Sequence, residues 1–357
     1  MEIGIVGLPN VGKSSLFNAL TGAGVAAENF PFTTIEPNVG VVPLPDARLN
    51  RLAQEFNSQK MTPAGVRFVD IAGIVKGASQ GEGLGNMFLA HIRGVDAIAH
   101  VVRCFTDDNV INVLGDLNPA HAIGVIETEL ILADLQQAEK ACERLRKAAK
   151  SGEKEAKEKV DILEGVIKGL NEGKSVRSQK VSLDNFKEFQ FLTAKPLLYV
   201  ANTNENGAPE EIMRSLQEIA QKEKAGLISL CTKLESEILE LPPEERAVYY
   251  EQSGITSPGL GRLAKAGQEL LGLISFFTAG EKESRAWIIP QGTKSLKAAG
   301  KIHSDIERGF IRAEVYKYAD LERLGSYKEV QKENKITLEG KEYEIEDGDV
   351  VYFRFSV

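Results

Sequence analysis

A chain of 357 residues, 43% apolar and 26% charged, has the composition of a soluble globular protein long enough for two or three domains. Its formal net charge of −8 argues against a generally basic, nucleic-acid-coating surface, so any RNA contact has to be local. Three scattered cysteines, Cys104, Cys142 and Cys231, are too few for a disulfide framework or a zinc site and point to a reducing cytoplasm, and no apolar run is long enough to cross a membrane.

Residues 3–6 form an apolar run that reads as a buried strand, and Ser15-Leu16-Phe17-Asn18-Ala19-Leu20 reads as the first turns of a helix. Between them Gly7-Leu8-Pro9-Asn10-Val11-Gly12-Lys13-Ser14 fits the phosphate-loop pattern G-x-x-x-x-G-K-[ST]. Strand, glycine loop and helix N-terminus in that order present backbone N–H groups and a helix dipole to an anion, so a nucleoside triphosphate is the expected ligand. In this reading Gly7 and Gly12 let the backbone curl around phosphate, Lys13 reaches the β- and γ-phosphates, and the Ser14 hydroxyl ligates magnesium.

A polar loop then leads to Phe30-Pro31-Phe32-Thr33-Thr34, where a nucleotide switch needs a threonine that reaches magnesium and the γ-phosphate; Thr34 is the candidate and Thr33 the second choice. Residues 39–43 and 66–70 read as strands. The second ends in Asp70-Ile71-Ala72-Gly73, a D-x-x-G whose aspartate holds magnesium through water and whose Gly73 N–H meets the γ-phosphate. Ile74 follows, where many GTPases carry a water-orienting glutamine, so intrinsic hydrolysis is expected to be slow. Gly73, Gly77, Gly81, Gly83 and Gly85 make the following stretch a second switch.

Residues 94–102 read as another buried strand, followed by Arg103-Cys104-Phe105-Thr106-Asp107. A helical insertion begins near Ile126, breaks at Ser151-Gly152 and again over 165–173, and resumes over 183–193 as a hairpin with a basic tip. Residues 197–201 return to a strand and deliver Asn202-Thr203-Asn204-Glu205 where GTPases carry N-K-x-D. Glu205 is one methylene longer than the guanine-binding aspartate, Thr203 replaces the lysine, and an Asn202 amide complements adenine N6 and N7, so ATP is favoured over GTP. Residues 227–230 are the last strand of this sheet, with 229–233 at the base pocket. Residues 260–277 read as a closing amphipathic helix, and short strands over 286–289, 310–316, 335–338, 341–345 and 350–355 surround a helix near 296–299.

GLPNVGKS, NFPFTTIEPN, DIAG followed by Ile74, NTNE, the helical insertion and AAGKIHSDIERGFIRAEV together resemble the YchF/Obg-like ATPase family over essentially the whole chain. The resemblance implies an α/β P-loop NTPase (GTPase-like) domain over 1–125 and 196–280, a coiled-coil helical hairpin over 126–195 and a C-terminal TGS domain of β-grasp form over 281–357. It also implies magnesium-dependent ATP hydrolysis and association with ribosomes, with a part in translation or stress regulation; the basic tip of the helical hairpin and the C-terminal domain are the places where the residues themselves leave room for RNA contact. Carried over by residue, Lys13, Thr34 and Gly73 act in catalysis, and Ser14, Thr34 and Asp70 serve magnesium. Asn10, Val11, Gly12, Lys13, Ser14, Ser15, Asn202, Thr203, Glu205, Ser229, Leu230 and Cys231 hold the nucleotide. Asn10 resembles the position that supports potassium-stimulated hydrolysis in some relatives. Asn112 stands where family members place a histidine that activates water, which leaves His121 as the nearby substitute. The rival readings are an Obg-class GTPase of ribosome assembly and a nucleotide-stabilised binding module with incidental hydrolysis.

Overall fold

The computed structural model describes residues 1–23, 38–71, 84–150, 154–179, 181, 189–252, 255 and 258–356. In chain order they form β1 (Glu2–Val6), α1 (Lys13–Ala23), β2 (Val39–Pro43), α2 (Ala47–Glu55), β3 (Lys60–Thr62), β4 (Gly65–Asp70), α3 (Leu84–Gly94) and β5 (Ala97–Cys104). The helical pair α4 (Pro119–Lys150) and α5 (Lys154–Asn171) precedes β6 (Leu197–Thr203), α6 (Glu210–Lys222), β7 (Gly226–Leu230), α7 (Thr232–Glu240), α8 (Pro243–Gln252) and α9 (Gly259–Leu270). The chain then runs through β8 (Leu273–Thr278), β9 (Glu283–Pro290), α10 (Ser295–Ile302), α11 (Ser304–Arg308), β10 (Phe310–Lys317), α12 (Tyr318–Leu324), α13 (Tyr327–Lys332), β11 (Thr337–Glu339) and β12 (Asp349–Phe355). These elements make two units, one drawn from residues 1–23, 36–40 and 67–266, the other from 24–35, 41–66 and 267–357.

One six-stranded sheet runs in the order β2-β4-β1-β5-β6-β7, of which β1, β5, β6 and β7 lie wholly in the first unit. β1 pairs in parallel with β4 and β5, and β5, β6 and β7 continue in parallel. Every residue of β5 and β6 is buried, as strands covered on both faces by helices must be, which is why they are mostly apolar, with polar residues only at His100 and at the strand ends. β1, β5 and β6 therefore deliver Gly7, Phe105 and Asn204 to one edge of the sheet, where the carboxyl ends of parallel strands build ligand sites.

The helical pair starts earlier than its apolar stripe suggested, because Pro119 is already helical, a first-turn position that suits its fixed φ and missing N–H. The expected break over 165–173 is the end of α5: Gly165 and Gly169 lie inside the helix, and the chain turns at Gly173, with φ +72°. Packing overrides glycine propensity here, since Val160, Leu163, Val166 and Leu170 of α5 share one core with Ile131, Ala138, Ala141 and Cys142 of α4. The second arm is thus 154–171. Residues 182–188 fall outside the described residues, and Leu192–Ala194 is a single 3-10 turn.

The second unit is built on a mixed sheet, β11-β10-β12-β8-β9-β3. The closing helix expected to reach Phe277 stops at Leu270. Gly272, at φ +59°, turns the chain, and residues 273–278 become β8, antiparallel to β9 and parallel to β12. Phe276 and Phe277 are wholly buried there. Residues 341–345, expected as a strand, contribute only an isolated bridge between Glu344 and Lys294. α2, α3, β3, α6–α8 and α11–α13 were not anticipated. Among the described residues no helix is long and apolar enough to cross a membrane.

Candidate functional site

The loop between β1 and α1 has the conformation its glycines predict. Gly12 lies at φ +90°, and a Cβ on it would come within 2.1 Å of Asn202 Nδ2, so only glycine fits without displacing that amide. Asn10 also adopts a left-handed conformation, at φ +61°. α1 begins at Lys13 with Leu16 N–H donating to the Gly12 carbonyl, leaving earlier loop amides free of helical partners. Ser14 and Ser15 are exposed at this helix start. The Lys13 ammonium forms an ion pair with Asp70 at the end of β4, joining the phosphate-loop cation to the carboxylate that the sequence reading expects to serve magnesium.

These residues form one end of a cleft of about 820 Å³. Asn10, Gly12, Lys13, Ser14 and Ser15 line it together with Thr203, Glu205 and Cys231, so residues separated by nearly 200 positions in sequence share one concavity. Residues 204–207 form a tight turn closed by Gly207 N–H on the Asn204 carbonyl, which leaves Glu205 and Asn206 exposed on the cleft wall. Cys231 caps α7 and is half-buried; desolvation pushes its thiol above the ordinary range, so it remains a neutral lining group.

Asn202 lines the cleft but is only 3% exposed, and both halves of its amide are engaged within the chain. Nδ2 donates to the Val11 carbonyl at 2.9 Å, while Oδ1 accepts from the Thr232 N–H at 3.1 Å and the Thr232 hydroxyl at 3.0 Å. It therefore ties the phosphate loop to the end of β6 and the start of α7, and the adenine-complementing geometry expected of its amide is not available. Ser229 and Leu230 do not line the cleft. The Ser229 carbonyl accepts from Arg262, and Leu230 is 4% exposed; both lie within β7, and Cys231, the next residue, is the one that reaches the cleft. Val11 is buried and contributes its carbonyl to Asn202.

The opposite wall was not foreseen. Phe105, Thr106, Asp107 and Val110, which follow β5, line the cleft, whereas Lys233, also in the lining, was expected at the base pocket. Their loop is organised by Arg103, which is 8% exposed. Its guanidinium donates to the carbonyls of Phe105, Asp107, Val110, Ile111 and Asn10 at 3.0–3.4 Å and lies 4.4 Å from the Phe105 ring centroid. Asn10 Nδ2 donates to the Ile111 carbonyl at 3.2 Å, a second tie between this wall and the phosphate loop. An arginine near the end of a mostly apolar strand was the available sequence signal.

Asn112 and His121 do not line the cleft. The Asn112 amide donates to the Asp116 carbonyl, and His121 is exposed with Nδ1 3.3 Å from Asp116 Oδ2. Thr33, Thr34, Gly73, Ile74 and the glycines through Gly83 lie outside the described residues.

Comparison with known proteins adds an independent line. A family model described as a 50S ribosome-binding GTPase matches residues 2–128, and the YchF-GTPase C-terminal model, described as a protein of unknown function, matches residues 273–356. The chain is 50% identical over 360 residues to the ribosome-binding ATPase YchF of Pasteurella multocida, covering 100% of this chain and 99% of the relative. It is 49% identical over 364 residues to the protein of that name in Bacillus subtilis, covering all of both chains. Its fold is similar to the structure of the Schizosaccharomyces pombe YchF GTPase, with a TM-score of 0.88, 34% identity, and coverage of 99% of this chain and 97% of that one.

Proposed function

The chain belongs to the YchF family, and from that premise we propose that it is a slow, magnesium-dependent ATPase whose nucleotide state governs its association with the ribosome in the cytoplasm. The carrying observation is the single cleft in which Lys13, Ser14 and Ser15 face residues 203–206 and 231–233. Triphosphate lies along the loop amides, with Lys13 exchanging Asp70 for phosphate oxygens as the nucleotide enters. The base lies toward Thr203, Glu205 and Cys231. The exposed Glu205 carboxylate accepts from the adenine N6 amine, which supports ATP over GTP.

The donors near Lys13 fit magnesium: the Ser14 hydroxyl and the Asp70 carboxylate are hard oxygen ligands, with Thr34 the third candidate. When bound, magnesium neutralises charge on the β- and γ-phosphate oxygens. The chain's own part in hydrolysis is to orient the γ-phosphate through Lys13, the loop amides and the Gly73 N–H, for in-line attack by water. Potassium near Asn10 belongs to the same proposal, although the Asn10 amide already holds the Ile111 carbonyl. So does the division into a nucleotide domain, a helical hairpin and a TGS domain, with β8 grouped with the last.

Two features favour other readings. The family model over residues 2–128 is described as a GTPase, which favours an Obg-class enzyme. Among the described residues no histidine lines the cleft, which favours a binding module with incidental turnover. Competition between ATP and GTP on nucleotide-free protein with magnesium, following binding and phosphate release, separates them. We expect ATP preferred by about tenfold or more, or about 1.4 kcal/mol, with phosphate released slowly. GTP preference moves the chain to the first rival, and tight ATP binding without release moves it to the second.

A further inference from the structure

A separate concavity lies within the second unit, on the face of its mixed sheet turned away from α10. Alternate residues of a strand share a face, so Glu314 and Tyr316 of β10 stand together with their register partners on β12, Tyr352 and Val350. Ala313, Val315 and Phe353 take the opposite face and pack with Ala298 and Ala299 of α10. Phe56, which follows α2, and Tyr327, which opens α13, close over the first face and enclose with it a cavity of about 260 Å³. Ile336 and Ala279 also line it.

The wall of this cavity is aromatic and built from the chain's own contacts. Tyr327 packs against both Phe56 and Tyr316, at ring-centroid distances of 5.1 and 5.3 Å. The Tyr327 N–H donates to the Glu55 carboxylate at 2.8 Å, which fastens the start of α13 to the end of α2. Tyr316 is 6% exposed, and its hydroxyl is buried with no hydrogen-bond partner among the described residues. Burial pushes this phenol above its ordinary range, so it remains an O–H able to donate and to accept.

Charge and size then limit what the cavity can hold. Glu314 is the carboxylate in the lining, and Arg354 already pairs with it. No lysine, arginine or histidine is among the described lining residues, so an anion finds no cation there, and a cation finds its carboxylate taken. A volume just below the range of drug-sized ligand sites, about 300–1,000 Å³, suits one or two rings.

We infer that this cavity binds a neutral, flat aromatic small molecule of one or two rings, whose polar edge hydrogen-bonds the Tyr316 hydroxyl. Its rings pack offset or edge-on against the tyrosines of the wall. Phosphate-bearing ligands, nucleotides and RNA included, are excluded because nothing in the lining meets their charge.

The test titrates indole and 1-methylindole into the full chain, with magnesium and excess ADP present to occupy the nucleotide cleft. Indole is expected to bind saturably with a Kd of about 1 mM or tighter, and about fivefold or more tightly than 1-methylindole, which has no N–H to donate. Tyr316→Phe keeps the ring, lowers the affinity for indole to that for 1-methylindole, and leaves the Tm of ligand-free protein unchanged or raised, because the hydroxyl it removes had no partner. Absence of saturable indole binding overturns the inference, as does equal indole affinity in wild type and Tyr316→Phe. A Tm lowered by Tyr316→Phe also overturns it, by showing that the hydroxyl is already satisfied within the chain. Benzylammonium binding more tightly than indole makes Glu314 the anchor and overturns the neutral assignment, and UMP competing with indole overturns the exclusion of phosphate. Tighter binding of the peptide Gly-Trp-Gly than of indole gives the cavity to a protein side chain in place of a small molecule.

Discussion

Asn202 shows how one side chain can be necessary to a site without touching its ligand. Its amide makes three hydrogen bonds to Val11 and Thr232, and its Nδ2 occupies the space a Cβ on Gly12 would need. Replacing it with alanine leaves a buried carbonyl and a buried N–H without partners, at a cost of about 2–4 kcal/mol. Asn202→Ala is therefore expected to lower the Tm of nucleotide-free protein by roughly 5–10 °C, before any effect on binding is considered. A residue that only read the base would leave that Tm unchanged and shift the ATP/GTP ratio alone. Arg103 has the same character on the facing wall, where five backbone carbonyls converge on one guanidinium.

The helical pair is joined to its unit by a small buried charge cluster. Arg177, just after α5, meets Glu127 of α4 at 3.1 Å and Glu223 at the end of α6 at 3.2 Å, and it donates to the Thr193 carbonyl. Ser175 Oγ donates to Glu223 at 2.6 Å. Two carboxylates share one guanidinium, so one of them is in excess. Burial, reinforced by repulsion from Glu223 and opposed by Arg177, pushes the Glu127 carboxyl up to about 7. A carboxyl whose folded pKa lies above its unfolded value takes up protons on folding. Stability from this group is therefore highest below about pH 4.5 and falls as pH rises through about 7. Glu127→Gln should remove that dependence and match or exceed wild-type stability at pH 8, by on the order of 1–2 kcal/mol. Arg177→Met should destabilise by about 3–5 kcal/mol, because both carboxylates then lose their cation. Chemical denaturation at pH 5.5 and pH 8 checks both signs.

At the scale of the whole molecule, the second unit is assembled from two distant stretches of chain. β3 pairs in parallel with β9, and Arg48 of α2 bonds Asp46 and Asp347 while lying 5.0 Å from the Phe277 ring centroid. Asp347 in turn accepts the Ser275 amide from β8, so Arg48 fastens the early segment to the end of the chain. Arg48→Ala is expected to weaken this unit by about 2–4 kcal/mol. Hydrogen exchange should accelerate at β12 amides with β6 amides unchanged; equal acceleration in both strands would show that the two units unfold together.

Local chemistry carried much of this protein in its sequence. Strand, glycine loop, Lys13-Ser14 and helix are contiguous, and their conformations follow from residues no more than a few positions apart. The buried strands of the parallel sheet were equally legible, because burial on both faces leaves mostly apolar runs. Tertiary structure decided what depends on contacts across long separations. It converted residues 273–278 from an expected helix end into a central strand by offering β9 and β12 as partners, and it kept Gly165 and Gly169 helical by packing α5 on α4. It also engaged the Asn202 amide with Val11 and Thr232 and brought Phe105 and Asp107 into the cleft. Which hydrogen bonds and ion pairs a side chain satisfies depends on its neighbours in space, and those are fixed only when the chain has closed on itself.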